Sequence, residues 1–317
     1  MSTRTARWTA SLLAAATATA LTGCGSGDDG SGSGSGELTV LAGFYPLEWT
    51  AARVGGENVS VSSLTPPGAE AHDLELAPQD VAAVAEADLL VYLDGFQPAL
   101  DEAAGSEGGD HAWDAGHAAD LVAGEAHEHA EDGDHAEEEH AGEEAVDPHF
   151  WLDPTRLAAV GDALADRLAE LDPDMAAGYE ENAAALRTDL EALDQEMETA
   201  LATCSVSTLV TSHDAFGYLG DRYGLEVVGI SGLSPSQEPD PAQLAEIATL
   251  VRDRGITTVY TETLVDPAVA ETVAEEAGAR TAVLDPIEGL TDESEGEDYL
   301  QVMRANLATL QEGQSCS

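Results

Sequence analysis

Short β-rich runs alternate with longer helical patterns along this chain, and the alternation occurs twice. Leu38 to Leu41, Val59 to Leu64 and Leu89 to Tyr92 read as strands, with helical spacing over Pro46 to Val54 and Pro78 to Ala87. The rhythm returns with strands at Thr208 to Thr211, Glu226 to Ile230, Thr257 to Tyr260 and Thr281 to Leu284, and with its clearest helix at Pro241 to Arg254. Parallel strands need a crossover between them, usually a helix, so the pattern predicts two α/β lobes with parallel sheets. Between the lobes, Pro154 to Leu201 carries no strand signal. Tyr179, Leu186, Leu190, Leu193, Met197 and Leu201 share one helical face there, and Asp172-Pro173 is a suitable start. One helix over Pro173 to Leu201 would run about 43 Å, long enough to pass both lobes; a helical hairpin inside one domain is the alternative.

The N-terminus has the character of an export signal. Arg4 and Arg7 precede an apolar stretch from Thr9 to Leu21 that is too short to span a bilayer. Leu21-Thr22-Gly23-Cys24 resembles the lipobox of bacterial lipoproteins, in which the cysteine thiol takes a diacylglycerol; an ordinary cleaved signal is the alternative. Gly25 to Gly36 contains only Gly, Ser and Asp, a flexible tether with a reach of about 20 Å. The chain therefore divides into a leader at 1–23, a lipidated cysteine and tether at 24–36, a first lobe at 37–153, linker helices at 154–203 and a second lobe at 204–317. In an oxidising compartment the two remaining cysteines, Cys204 and Cys316, can form a disulfide. Free thiols remain possible, and metal ligation is poorly supported without a CxxC spacing.

Charge restricts the partners. The formal net charge is −51, from 62 acidic residues against 11 basic ones. Such a surface repels nucleic acid and anionic lipid headgroups. The acidity is concentrated in one region, where 17 acidic residues and no Lys or Arg lie between Asp101 and Asp147. Seven of the nine histidines fall in residues 101–150, among them His127, His129, His135 and His140. Ala119 to Val122 is a candidate short strand. Residues 124–145 have too little apolar content to fold and read as a disordered loop.

His72 and His213 lie outside this region and His149 lies at its edge. His72 follows the second strand in Pro67-Gly68-Ala69-Glu70-Ala71-His72-Asp73, His149 sits in Asp147-Pro148-His149-Phe150-Trp151-Leu152-Asp153-Pro154, and His213 follows the strand at Thr208. Asp285 and Glu262 also stand at strand ends. Loops at the carboxyl ends of parallel strands are where α/β folds hold ligands. Three imidazoles and one carboxylate suit tetrahedral zinc. A hydrolytic zinc site is a remote alternative, because no HExxH-type or nucleophile motif occurs.

Phe44-Tyr45-Pro46-Leu47, Pro67-Gly68-Ala69 with His72-Asp73, the Asp147 to Pro154 stretch, Ser212-His213-Asp214-Ala215-Phe216 and Leu284-Asp285-Pro286 together resemble the zinc and manganese receptors of bacterial ABC importers. The motifs occur in that family's order and cover essentially the whole chain beyond the leader. The resemblance implies two α/β lobes joined by a long rigid helix, with metal in the cleft between them. His72 and His149 would come from the first lobe, and His213 and Asp285 from the second. Glu262 is an acidic neighbour of the site, standing behind it or serving as an alternative ligand. Manganese-type members usually have glutamate where this chain has His213, which favours Zn2+ over Mn2+. Zinc-type members often carry a histidine-rich loop where residues 124–145 lie, which implies low-affinity collection of metal. The implied protein is not an enzyme. It is a monomeric receptor on the outer face of the cytoplasmic membrane, serving an importer's permease and ATPase. A surface adhesin is the other role such a protein can have.

Overall fold

The computed structural model describes residues 37–122, 146–237 and 239–317. The leader, Cys24, the tether and the histidines His127, His129, His135 and His140 lie outside the described residues. The first lobe runs β1 (Leu38–Ala42), α1 (Tyr45–Gly55), β2 (Val59–Ser63), α2 (Pro78–Glu86), β3 (Leu89–Tyr92), α3 (Pro98–Ala103), β4 (Ala112–Asp114) and α4 (Gly116–Ala119). Then come α5 (Pro154–Leu171) and α6 (Ala176–Leu201). The second lobe follows as β5 (Thr208–Thr211), α7 (Gly217–Tyr223), β6 (Glu226–Gly229), α8 (Pro241–Arg254), β7 (Thr258–Thr261), α9 (Ala268–Ala277), β8 (Arg280–Val283) and α10 (Tyr299–Gly313).

Both sheets are four-stranded and parallel, with orders β2-β1-β3-β4 and β6-β5-β7-β8. The central strands are apolar on both faces, as in Leu89, Leu90 and Val91 of β3, because helices cover each side. In each sheet the winding reverses between the first and third strands. The loops leaving the carboxyl ends of those strands splay apart and leave a crevice.

The fourth strand is not at residues 119–122. It is Ala112–Asp114, which pairs with β3 through Leu90 opposite Ala112, while Ala119 ends α4 and Leu121 and Val122 form no strand. Three residues are too few to show alternation, and the acidic flanks hide the half-buried Trp113 that packs on the core.

The long connector begins as a 3-10 turn at Pro173–Met175, and the α-helix proper starts at Ala176. At about 1.5 Å per residue its 26 residues extend about 39 Å. Its buried stripe of Tyr179, Ala183, Leu186, Leu190, Leu193, Met197 and Leu201 packs on α5, on α1 of the first lobe, and on α7 and α10 of the second. Gly161 of α5 permits the close crossing, since a Cβ there would stand 2.8 Å from Leu186 Cδ2. Its polar side is tied to both lobes by Asp189 to Arg53, Asp194 to Arg222 and Glu196 to Arg304. One apolar core runs through both lobes, joining Phe44 and Trp151 to Tyr260 and Tyr299. A disulfide between Cys204 and Cys316 fastens the C-terminus beside the end of α6. Among the described residues, no helix is long and apolar enough to cross a membrane.

Candidate metal centre

Four loops bring their side chains to one buried point between the sheets. His72 ends the loop after β2, where Gln97 donates from Nε2 to Thr65 Oγ1 and the Ala71 carbonyl, both at 2.9 Å. Glu70 accepts from the His72 backbone N–H at 3.0 Å and from that of Asp73 at 3.1 Å. His149 precedes the 3-10 turn Phe150–Leu152, and Asp153 then caps α5 by accepting from the Thr155 N–H. His213 lies two residues past β5. Glu288 lies in the loop after β8.

The Nε2 atoms of His72 and His149 are 3.3 Å apart, and those of His149 and His213 are 3.4 Å apart. Glu288 Oε1 stands 3.5 Å from His72 Nε2, 3.5 Å from His149 Nε2 and 3.4 Å from His213 Nε2. A tetrahedral zinc ion 2.0 to 2.1 Å from each donor implies donor–donor edges of about 3.3 to 3.4 Å. These five separations are close to that figure, and all four donor atoms lie within 4.8 Å of one another, so these side chains can hold one zinc ion.

The backs of two imidazoles are held by carboxylates. His149 Nδ1 lies 2.8 Å from Asp147 Oδ1, which also accepts from the His149 backbone N–H at 2.9 Å. His213 Nδ1 lies 2.7 Å from Glu262 Oε2, whose other oxygen accepts from the His213 N–H at 3.0 Å. A carboxylate on Nδ1 fixes the tautomer that leaves Nε2 free to bind metal. Phe96 packs edge-on against His72, and Trp151 lies against His149. A cleft of about 300 Å³ lined by His72, Phe96, Val146, Pro148 and Leu233 opens on the His72 side.

The electrostatics favour positive charge at the centre. Burial lowers the His72 imidazole, partly opposed by Glu288. Burial also acts to lower His149, but the hydrogen bond to Asp147 and the facing Glu288 carboxylate outweigh it and raise the group. For His213, burial is overcome by the Glu262 carboxylate and by Glu288, which together raise it to about 10. Burial pushes Glu288 up, yet its contacts with the three imidazoles hold it well below the usual carboxylate range. Glu70 is raised to about 8 by burial and by its neighbour Glu288.

The structure gathers His72, His149 and His213 as the sequence suggests, but the fourth donor differs. Among the described residues, the group able to hold a metal is His72, His149, His213 and Glu288, without Asp285. Asp285 is buried, with its oxygens engaged by the Ile287 N–H at 2.8 Å and the Ser294 hydroxyl at 3.1 Å. Glu262 stands behind His213 rather than among the donors. The loop after β8 offers two acids three residues apart, and strand-end position favours the first. The backbone reversal that presents the second leaves no periodic signal. Asp147 has no role in the sequence reading beyond its motif, and its place two residues before His149 is the one local signal that points to it.

Residues 40–313 match the family model described as zinc-uptake complex component A, periplasmic (ZnuA). The high-affinity zinc uptake system protein ZnuA of Bacillus subtilis is 36% identical over 281 residues, covering 87% of each chain. The zinc-binding protein AdcA of Streptococcus pyogenes is 36% identical over 287 residues, 86% of this chain but 55% of the relative. The chain thus spans about half the length of the streptococcal AdcA proteins. Among solved structures, a Zn(II)-bound AdcAII variant from Streptococcus pneumoniae superposes with TM-score 0.76 at 29% identity, covering 89% of this chain and 99% of that one. The laminin-binding protein Lmb of Streptococcus agalactiae, described as a bifunctional protein with adhesin and metal-transporting activity, gives 0.75 at 30%, covering 87% of this chain and 99% of that one. By family-model match and by identity along most of its length, this chain belongs to the ZnuA family of periplasmic zinc-uptake components.

Proposed function

We propose that this protein captures zinc outside the cytoplasm and delivers it to the permease and ATPase of an ABC importer, held at the membrane by a lipid on Cys24. The observation that carries the reading is the cluster of His72, His149, His213 and Glu288, with both other imidazoles 3.3 to 3.4 Å from His149 Nε2 and Glu288 Oε1 3.4 to 3.5 Å from all three, separations that suit zinc. Four protein donors complete the coordination and leave no position for a reacting water, which suits capture over hydrolysis. Three imidazoles suit the borderline-soft zinc ion, whereas manganese prefers oxygen donors. His127, His129, His135 and His140 collect zinc weakly and feed the main site, and loss of loop stoichiometry on deleting residues 124–145 is the expected calorimetric result.

Zinc selectivity is tested by competition titration of the metal-free protein with zinc and manganese, alongside a His213→Glu variant. The unmodified protein should prefer zinc, and the variant should lose part of that preference. A preference of the unmodified protein for manganese would overturn the assignment. The likeness to Lmb favours a second reading, adhesion to laminin. Binding of the zinc-loaded protein to immobilised laminin, compared with an albumin surface, tests it.

A further inference from the structure

We infer that Asp285 is a positioning residue, which locks Ile287 in a left-handed conformation and thereby aims Glu288 at the three imidazoles. The inference rests on the zinc-site reading above. Ile287 has φ +60°, although it is β-branched and fully buried. For such a residue this conformation is a steric outlier, which persists only where its surroundings impose it. Asp285 supplies the constraint. Its Oδ1 accepts from the Ile287 N–H at 2.8 Å, and its Oδ2 accepts from the Ser294 hydroxyl at 3.1 Å. Its own backbone is held on both sides by Asn306 of α10, which accepts from the Asp285 N–H at 2.9 Å and donates to its carbonyl at 2.7 Å. Trp151 of the first lobe donates to the Pro286 carbonyl at 2.8 Å, and Tyr299 donates to the Trp151 carbonyl at 2.5 Å.

Every polar group of residues 285–287 named here is therefore engaged before Glu288 is reached. Glu288 Oε1 is buried and has no hydrogen-bond partner within the protein, facing the three Nε2 atoms. A carboxylate oxygen left in that state is oriented for a cation. The peptide turn fixed by Asp285 places it there, and the carboxylate of Asp285 is itself occupied by the Ile287 N–H and the Ser294 hydroxyl.

The test is a double-mutant cycle on the full chain, read as zinc affinity by competition with a chromophoric chelator. Asp285→Ala should weaken zinc about tenfold to a hundredfold, the range typical of groups that orient a ligand. In a Glu288→Ala background the same change should have little further effect, within about threefold, because the interaction it supports is already gone. Asp285→Asn should recover most of the lost affinity, since its amide oxygen still accepts from Ile287, whereas a direct ligand would lose its charge. Additive losses, or an Asp285→Asn variant as weak as Asp285→Ala, would overturn the inference. If Asp285→Ala does not fold, Asp285→Asn decides alone: retained affinity supports positioning and lost affinity contradicts it. Failure of the zinc reading itself shows separately, as an unmodified protein whose zinc affinity is unaffected by His149→Ala.

Discussion

Glu262 and Asp147 stand behind His213 and His149 in the same relation, each accepting from a backbone N–H and facing the Nδ1 of the same histidine. Glu262→Gln should therefore weaken zinc by about tenfold to a hundredfold, because an amide can donate to Nδ1 and stabilise the tautomer with its proton on Nε2. Chelator competition checks it, and unchanged affinity would count against a role for Glu262. Protons compete with the ion at the same place. His213 is raised to about 10 in the metal-free protein, above its unfolded value of about 6.5. Its contribution to stability is thus fully present below about pH 6.5 and is lost as pH climbs toward 10. Zinc must displace the same proton, so affinity should rise over that window while the metal-free melting temperature falls. Melting scans and zinc titrations at pH 6.5 and 9.5 test both signs, and a metal-free protein more stable at the higher pH would contradict a raised His213. His72 and His213 were legible because strand-end loops are where parallel α/β folds place ligands, and His149 from the compact motif around it. Glu288 was not, because its position depends on a left-handed residue whose stabilising bonds come from Asp285, Asn306 and Trp151, distant in sequence or hidden in loop geometry.

At the scale of elements, α6 shows how a strongly acidic chain uses its few cations. Arg53, Arg222 and Arg304 join it to α1, α7 and α10. The exposed pairs contribute little, since solvent screens them. Asp194 is different, for its side chain is buried and receives Arg222 Nε at 2.8 Å, Arg222 Nη2 at 2.6 Å and the Tyr223 hydroxyl at 3.1 Å. The Arg222 hydrogen bonds hold Asp194 below the usual carboxylate range. The stabilisation is present above about pH 3.9 and is lost as pH falls through that lowered value. Arg222→Ala should cost about 1 to 3 kcal/mol at pH 7 by urea unfolding, since it leaves a buried acceptor under-satisfied. The difference from the unmodified protein should shrink in acid, and equal stability at pH 7 would contradict the role given to this pair. The buried stripe of α6 followed directly from its helical spacing. Its start did not, because the proline in Asp172-Pro173 opens a 3-10 turn before the α-helix. The short β4 was hidden for a different reason, being a strand specified by pairing with β3 and by one tryptophan.

For the whole molecule, the continuous core and the helix touching both lobes make a stiff frame around a preformed site. Residues from both lobes already meet at the site, beside the cleft lined by His72. Such an arrangement spends little ordering free energy on the ion and leaves the donor set to decide which ion is held. His72, His149, His213 and Glu288 are placed to surround one zinc ion. Anomalous diffraction from zinc-loaded crystals, recorded on either side of the zinc edge, tests it most directly. One principal peak is expected in the cleft, about 2.0 to 2.1 Å from three Nε2 atoms and about 2.0 to 2.2 Å from a Glu288 oxygen. A peak coordinated by Asp285 in place of Glu288, or one lacking any of the three imidazoles, would contradict it.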